Sequence, residues 1–365
     1  MDIKLKQVTE GKTRLFVPDP AVYKTPENAP VFYNPMMKTD RDISVIMLKK
    51  FLAKKAKIAD IMSGLGTRAV RYAHEADLKV YANDIQPSAV KLIKKNAKLN
   101  KAKITTSIKD ANLFLLENKY DKFDCIDIDP FGSPMQFLNS ATRAISPKGG
   151  ILCVTATDLG ALSGNYPTTC FRRYFIKAGK SSFEHELGIR NLITVVFREA
   201  AKYNFSIEPL LSYYNLHYYR TFVRISGGKK SANRGIRGIG HIGYCKSCDY
   251  RQMHRLFDSL PEKCACGQKL EYFGPTWLAN ISDGEALKDI RYEHPIIGRC
   301  YCEADLPDLH YDLHVLAKAL KRKEVPKLDK VLKKLEDRGY RATRTQFTSH
   351  GFKTNADYKA VKGIL

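Results

Sequence analysis

The sequence predicts an α/β protein: a parallel sheet with helices on both faces, completed by an antiparallel hairpin and followed by a smaller α+β domain. Three observations carry this prediction. Between residues 57 and 157 short apolar runs alternate with helix-period segments, the pattern of βαβ crossovers. Two strand-like runs then follow one another with almost no link, which permits a hairpin and forbids a crossover. Beyond residue 230 the composition shifts to glycine, basic residues and cysteine.

The elements follow in order. Residues 1–57 form a mixed N-terminal extension ending in a predicted helix, "RDISVIMLKKFLAKK". The strands are "ADIM", "KVYAN", "ITTSI", "FDCIDID" and "GILCVTAT". They carry few outward charges, as strands buried on both faces do. Between them lie the helical segments "TRAVRYAHEAD", "PSAVKLIKKNAKLN", "ANLFLLENK" and "PMQFLNSATRAI". The alternation pauses in "DLGALSGNYPTTCFRRYFIKAGKSS", and a long helix, "FEHELGIRNLITVVFREAAKYN", leads to the paired strands "FSIEPLLSYYN" and "HYYRTFVRIS". A boundary is expected within residues 226–243, dividing a domain of residues 1–230 from one of residues 231–365.

The composition narrows the function. Lys and Arg number 61 against 38 Asp and Glu, a net +23. Basic surfaces that serve only thermal adaptation carry matching glutamates, so the excess points to a polyanion, with nucleic acid favoured. No apolar run reaches transmembrane length and the start lacks a signal-peptide core, so a soluble, cytoplasmic protein with no obligatory protein partner is expected. Nine cysteines in such a chain suit metal ligation or burial rather than disulfides.

Three consecutive strand ends bear cofactor chemistry. "SGLGTR" places Gly64 and Gly66 between a strand and a helix, where a missing Cβ lets backbone approach a ligand; an ordinary turn is the alternative. "VYANDIQ" ends on Asp84, suited to accept hydrogen bonds from both hydroxyls of a ribose. "SIKDANLF" offers Asp110 and Ala111. An acid there suits the adenine amino group of S-adenosylmethionine and has no place in a dinucleotide fingerprint, although Asp110 also suits a helix N-cap. Arg41 and Arg68 are the candidate partners of the cofactor's carboxylate.

The fourth strand ends in "CIDIDPFGSP". Amino-directed methyltransferases carry an acid or amide, a proline and an aromatic at this place. An exocyclic amine is a poor nucleophile because its lone pair is delocalised. A carboxylate accepting its N–H localises that electron density and takes the proton. Asp129 is the candidate. Its two oxygens match guanine's N1–H and N2–H, and Phe131 is placed to stack on an extruded base. Asp127, on the same strand face, is expected to hold neighbouring polar groups without a chemical role.

Together, "VFYNPMMKTDRDI", "DIDPFGSP", "TDLGALSGNYP", "CFRRY" and "ATRTQFTSHGFKT" resemble the tRNA (guanine-26-N2)-dimethyltransferases over nearly the full length. The resemblance implies a class I, Rossmann-like S-adenosylmethionine-dependent methyltransferase domain, with one or two methyls passed to the guanine N2 of tRNA. It assigns Arg41, Arg68, Asp84, Asp110 and Ala111 to the cofactor, Asp129 to catalysis, and Phe32 and Phe131 to the flanks of the base. Met36 and His350 depart from the family pattern, where arginine and proline are usual. The alternatives are an amino-methyltransferase on ribosomal RNA or DNA, and a catalytically silent RNA-binding protein.

Cys245-x2-Cys248 is followed by Cys264-x-Cys266. Four thiolates on two knuckles suit tetrahedral structural zinc, with Cys300-Tyr301-Cys302 as a rival pair. Residues 311–365 carry a net +8, with Tyr340, Phe347 and Phe352 interleaved. This end is expected to grip tRNA phosphates and also to present an ordinary solvated helical face, packed on one side and wet on the other, while Lys91, Lys94, Lys95 and Lys98 face solvent.

Overall fold

Residues 3–306 and 309–365 are described by a computed structural model, leaving out Met1, Asp2, Pro307 and Asp308. The chain divides into two compact units. The first comprises residues 1–130 and 136–154, the second residues 131–135 and 155–365. The glycine- and base-rich stretch expected to mark a boundary lies inside the second unit.

In the first unit an antiparallel pair, β1 (Leu5–Glu10) and β2 (Thr13–Pro18), precedes α1 (Lys38–Phe51). Then β3 (Lys57–Asp60), α2 (Thr67–Glu75), β4 (Lys79–Asn83), α3 (Pro87–Leu99), β5 (Ile104–Ser107), α4 (Ala111–Glu117), β6 (Cys125–Ile128), α5 (Met135–Ala144) and β7 (Lys148–Ala156) alternate. The strands lie in the order β5-β4-β3-β6-β7 and every pairing is parallel. Ile58, Ile126, Ile128, Leu152 and Val154 are each wholly buried, as central strands covered on both faces require. The helices start where local chemistry allows: Pro87 sits in the first turn of α3, and Asp110 caps α4 by accepting from the N–H groups of Asn112 and Leu113.

The last residues of β7 belong to the second unit. There α6 (Leu159–Leu162), α7 (Pro167–Tyr174) and α8 (Glu184–Ala201) lead to β8 (Phe205–Asn215) and β9 (Tyr218–Gly227). These two strands pair antiparallel from Phe205↔Gly227 to Asn215↔Tyr218, with a register shift between Pro209 and Leu211, beside the proline whose missing N–H weakens the ladder. Arg220 on β9 is wholly buried and donates to Thr155 Oγ1 at 2.8 Å.

Further along, β10 (Ile239–Tyr244), β11 (Arg251–Arg255) and β12 (Glu271–Trp277) form a sheet in the order β11-β10-β12. A last sheet places β15 (Gly351–Thr354) between β13 (Tyr311–Asp312) and β14 (Ala342–Arg344). Helices Leu313–Ala319, Leu328–Glu336 and Tyr358–Ile364 complete this end, burying Leu316, Val331, Leu335 and Val361 around Phe352.

Two of the three aromatics read as interleaved with the cations of this end are buried. Phe352 is wholly buried and stacks on Tyr311 at 5.4 Å, and Phe347 stacks on His310 at 4.9 Å. Lys353 is equally enclosed. Its Nζ donates to Glu186 Oε1 at 2.8 Å, and the Arg190 guanidinium reaches the same oxygen at 2.8 Å. His310 N–H reaches Glu186 Oε2 at 2.9 Å. A central strand such as β15 buries both its faces, so its lysine must find a carboxylate.

Candidate active site at the strand ends

The glycine turn forms because two residues adopt left-handed backbone, Gly64 at φ +55° and Gly66 at φ +83°. A Cβ on Gly66 would lie 3.0 Å from Ile93, so a larger residue there would crowd α2 against α3. β3 ends at Asp60, short of the expected Met62, and Ser63 N–H beyond it donates to Asn83 O at 2.9 Å. Asp84 Oδ2 accepts from Gly64 N–H at 2.8 Å and Oδ1 from Gln86 N–H at 2.9 Å. The second acid thus braces the glycine turn, and each oxygen keeps a lone pair for a ligand. Phe32 is brought to the same place: its carbonyl oxygen lies 3.4 Å from where a Cβ on Gly64 would stand.

Asp129 lies just past the end of β6 and is half-buried. Arg68, in the first turn of α2, donates to Asp129 Oδ2 from Nη2 at 2.6 Å and from Nε at 3.1 Å. Arg68 Nη1 lies 2.5 Å from the carboxylate of Asp40, a wholly buried residue of α1. Arg68 therefore meets the catalytic candidate directly, a relation the sequence did not indicate. Arg41 is held separately. Its Nε and Nη2 donate to Glu10 at 2.7 and 2.6 Å, and Tyr33 donates to the same carboxylate at 2.8 Å. Burial raises the Glu10 pKa, but the Arg41 hydrogen bonds and charge outweigh it and leave the carboxyl below its usual range.

Beneath Asp129 the sheet register sets Asp60 beside Asp127. Asp127 is wholly buried and accepts from the Tyr72 hydroxyl at 2.5 Å, the holding role expected of it. Burial, and then the neighbouring Asp127 carboxylate, push Asp60 up to about 7. Asp40 and Asp60 carry no sequence signal, because an acid in a charged stretch or at a strand end reads as solvated.

The residues after Asp129 are fixed within the second unit. Gly132 N–H donates to Thr157 Oγ1 at 2.7 Å, and Thr157 N–H returns to Gly132 O at 2.9 Å. The Tyr174 hydroxyl lies 2.8 Å from Ser133 Oγ and 2.6 Å from Asp158, which also pairs with Arg173 at 2.9 Å. "TDLG" and "CFRRY" therefore clamp the turn that presents Phe131, which is 76% exposed. Met36 and His350 are exposed.

Cys245, Cys248, Cys264 and Cys266 bring their sulfurs within 4.8 Å of one another. The pairs Cys245–Cys266 and Cys248–Cys264 stand 3.5 and 3.6 Å apart. Four thiolates at ~2.3 Å from a zinc ion would sit at about this spacing, so the cluster fits closed tetrahedral zinc. The rival pair does not join it: Cys300 is buried and donates to Ser212 O, and Cys302 is exposed.

Residues 11–365 match the family model described as N2,N2-dimethylguanosine tRNA methyltransferase. The chain is 39% identical to a tRNA (guanine(26)-N(2))-dimethyltransferase of Methanobrevibacter smithii, over 100% of this chain and 98% of the relative. Its identity to the protein so named in Thermococcus kodakarensis is 36%, over 100% and 99%. Trm1 from Pyrococcus horikoshii, solved in complex with S-adenosyl-L-methionine, aligns at a TM-score of 0.86 and 31% identity, over 99% of each chain. Parallel strands joined by helices, a glycine turn braced by an acid, and a carboxylate beyond the fourth strand agree with that likeness, and the chain belongs to the N2,N2-dimethylguanosine tRNA methyltransferase family.

Proposed function

We propose that this protein is an S-adenosylmethionine-dependent methyltransferase acting on the exocyclic N2 of guanine 26 in tRNA, adding one and then a second methyl. The observation that carries the reading is Asp129, a part-exposed carboxylate beyond β6, oriented by Arg68 in a chain whose family match extends to its last residue.

Asp129 accepts the amine N–H, raises electron density on N2 and takes the proton as the new bond forms. Phe32 and Phe131 hold the faces of the extruded base, which keeps the amine in line for transfer. Asp84 meets the cofactor ribose, Asp110 and Ala111 its adenine, and Arg41 and Arg68 its carboxylate. The backbone of Gly64 leaves the space a Cβ would fill. The cofactor supplies an electrophilic methyl on a sulfonium. The four cysteines hold a structural zinc, and the basic residues 231–365 contribute to tRNA binding in the cytoplasm. Among the described residues no helix is long and apolar enough to cross a membrane.

The test is methylation of an unmodified tRNA transcript with labelled cofactor, followed by mass spectrometry of the nucleosides. N2-methylated guanosine at position 26 is expected, with no product from a transcript carrying adenine there. Modification of ribosomal RNA or DNA in place of tRNA would refute the substrate.

A further inference from the structure

A cavity of about 420 Å³ opens in the second unit, lined by none of the residues assigned above to cofactor or catalysis. Its size falls in the range of small-ligand sites. Its floor is built by close backbone packing. A Cβ on Gly164 would lie 2.5 Å from the Gly179 nitrogen, and one on Gly179 would lie 2.7 Å from the Phe273 ring. Lys177 and Gly274 exchange backbone hydrogen bonds of 3.0 and 2.7 Å, fixing this segment against β12. Buried Ala178 and Phe273 and half-buried Tyr272 make the surface apolar, and the Tyr272 ring is anchored by its hydroxyl donating to Pro261 O at 2.5 Å.

Three exposed cations, Lys177, Lys180 and Lys246, also line the cavity. Lys246 is the residue after Cys245, inside the first cysteine knuckle, so the cysteine cluster sets the position of that wall. Its ammonium pairs with Glu271 at 2.8 Å, and both side chains are about half exposed. A pair so exposed contributes little, and a phosphate can displace the carboxylate at small cost. An anchored ring beside an apolar floor, with three lysines in the lining, has the chemistry of a nucleotide site: a base or sugar against the ring and phosphate on the lysines.

We propose that this cavity takes a nucleotide of the substrate tRNA other than the methylated guanine, its phosphate on Lys177, Lys180 and Lys246 and its base or sugar against Tyr272. The proposal rests on the tRNA reading above and gives the cysteine knuckle a task in substrate binding.

The experiment compares two full-length triple variants that lose the same charge. One is Lys177→Gln/Lys180→Gln/Lys246→Gln. The other is Lys91→Gln/Lys94→Gln/Lys98→Gln, on the exposed face of α3. Binding of unmodified tRNA transcript is measured against salt, alongside methylation rates. The cavity variant is expected to raise Kd by about tenfold or more and to lower the slope of log Kd against log salt by roughly 0.7, the value for one lost phosphate contact. Its kcat at saturating tRNA and its bound zinc should match the parent's. The α3 variant should leave both Kd and the slope at the parent's values, the slope to within about 0.2.

Equal effects of the two triples, or a cavity variant indistinguishable from the parent, would overturn the proposal. So would saturable binding of a free mononucleotide with tRNA affinity indifferent to the cavity, which would reassign the occupant. Because Kd is read without turnover, an inactive parent enzyme would count against the methylation reading alone.

Discussion

Arg68 Nη2 lies 2.6 Å from Asp129 Oδ2, and the opposite edge of the same guanidinium meets buried Asp40. One cation therefore orients the catalytic candidate and neutralises an enclosed carboxylate. Arg68→Met leaves Asp40 without its counter-charge, so a loss of about 3–5 kcal/mol in unfolding free energy is expected by denaturant titration. Asp129→Asn touches a more accessible group. It should unfold within about 1 kcal/mol of the parent, bind tRNA as the parent does, and lose at least about 100-fold in methylation rate. Activity that survives this change removes Asp129 from the mechanism.

Asp60 makes stability depend on pH. Its folded pKa, near 7, stands above the unfolded value, so the native state binds this proton more tightly. The associated stability is complete below about pH 4 and is lost as pH rises through 7. Replacement by Asn removes the penalty, which is at most about 4 kcal/mol. Melting curves should show Asp60→Asn gaining on the parent at pH 8, with the gap narrowing by pH 5. A gap independent of pH would mean that Asp60 is already charged in the fold.

Two glycines separate backbone strain from crowding. Gly132 has φ +77° with nothing within 4 Å of an added Cβ, whereas Gly66 at φ +83° would press on Ile93. Gly132→Ala should cost about 1 kcal/mol from conformation alone. Gly66→Ala adds a clash and should cost about 2–3 kcal/mol. It should also weaken cofactor binding by calorimetry. Equal costs would show that α3 yields to the new methyl.

For the cysteine cluster, Cys245→Ser removes one of four thiolates. Bound zinc, measured by plasma emission, should fall from one per chain to near zero, and the melting temperature should drop. Cys302→Ser should change neither, because Cys302 is exposed and outside the cluster. Zinc that survives the first change would require a different ligand set.

Much of the fold was legible because periodicity is a local property. β4 and β8 occupy the expected residues, Lys79–Asn83 and Phe205–Asn215, and spacing singled out the four clustered cysteines while leaving Cys300 and Cys302 as rivals. The helix expected from Arg41 instead begins at Lys38, since the turn at Pro35–Met37 leads directly into it. What escaped were pairings between distant charges. Asp40–Arg68, Arg41–Glu10 and Glu186–Lys353 join residues that look solvated one at a time. Burial of a charge depends on its partner, and the partner is set by topology rather than by neighbours in sequence.

The bond between Glu186 and Lys353 spans 167 positions of the chain. A ribosome delivers α8 long before it delivers β15, so the helix must wait with an acid that cannot yet be enclosed. This end of the protein should close late, in a single cooperative step, once nearly all of the polypeptide has emerged. Translation halted before codon 353 would therefore release a product prone to proteolysis rather than a smaller working enzyme.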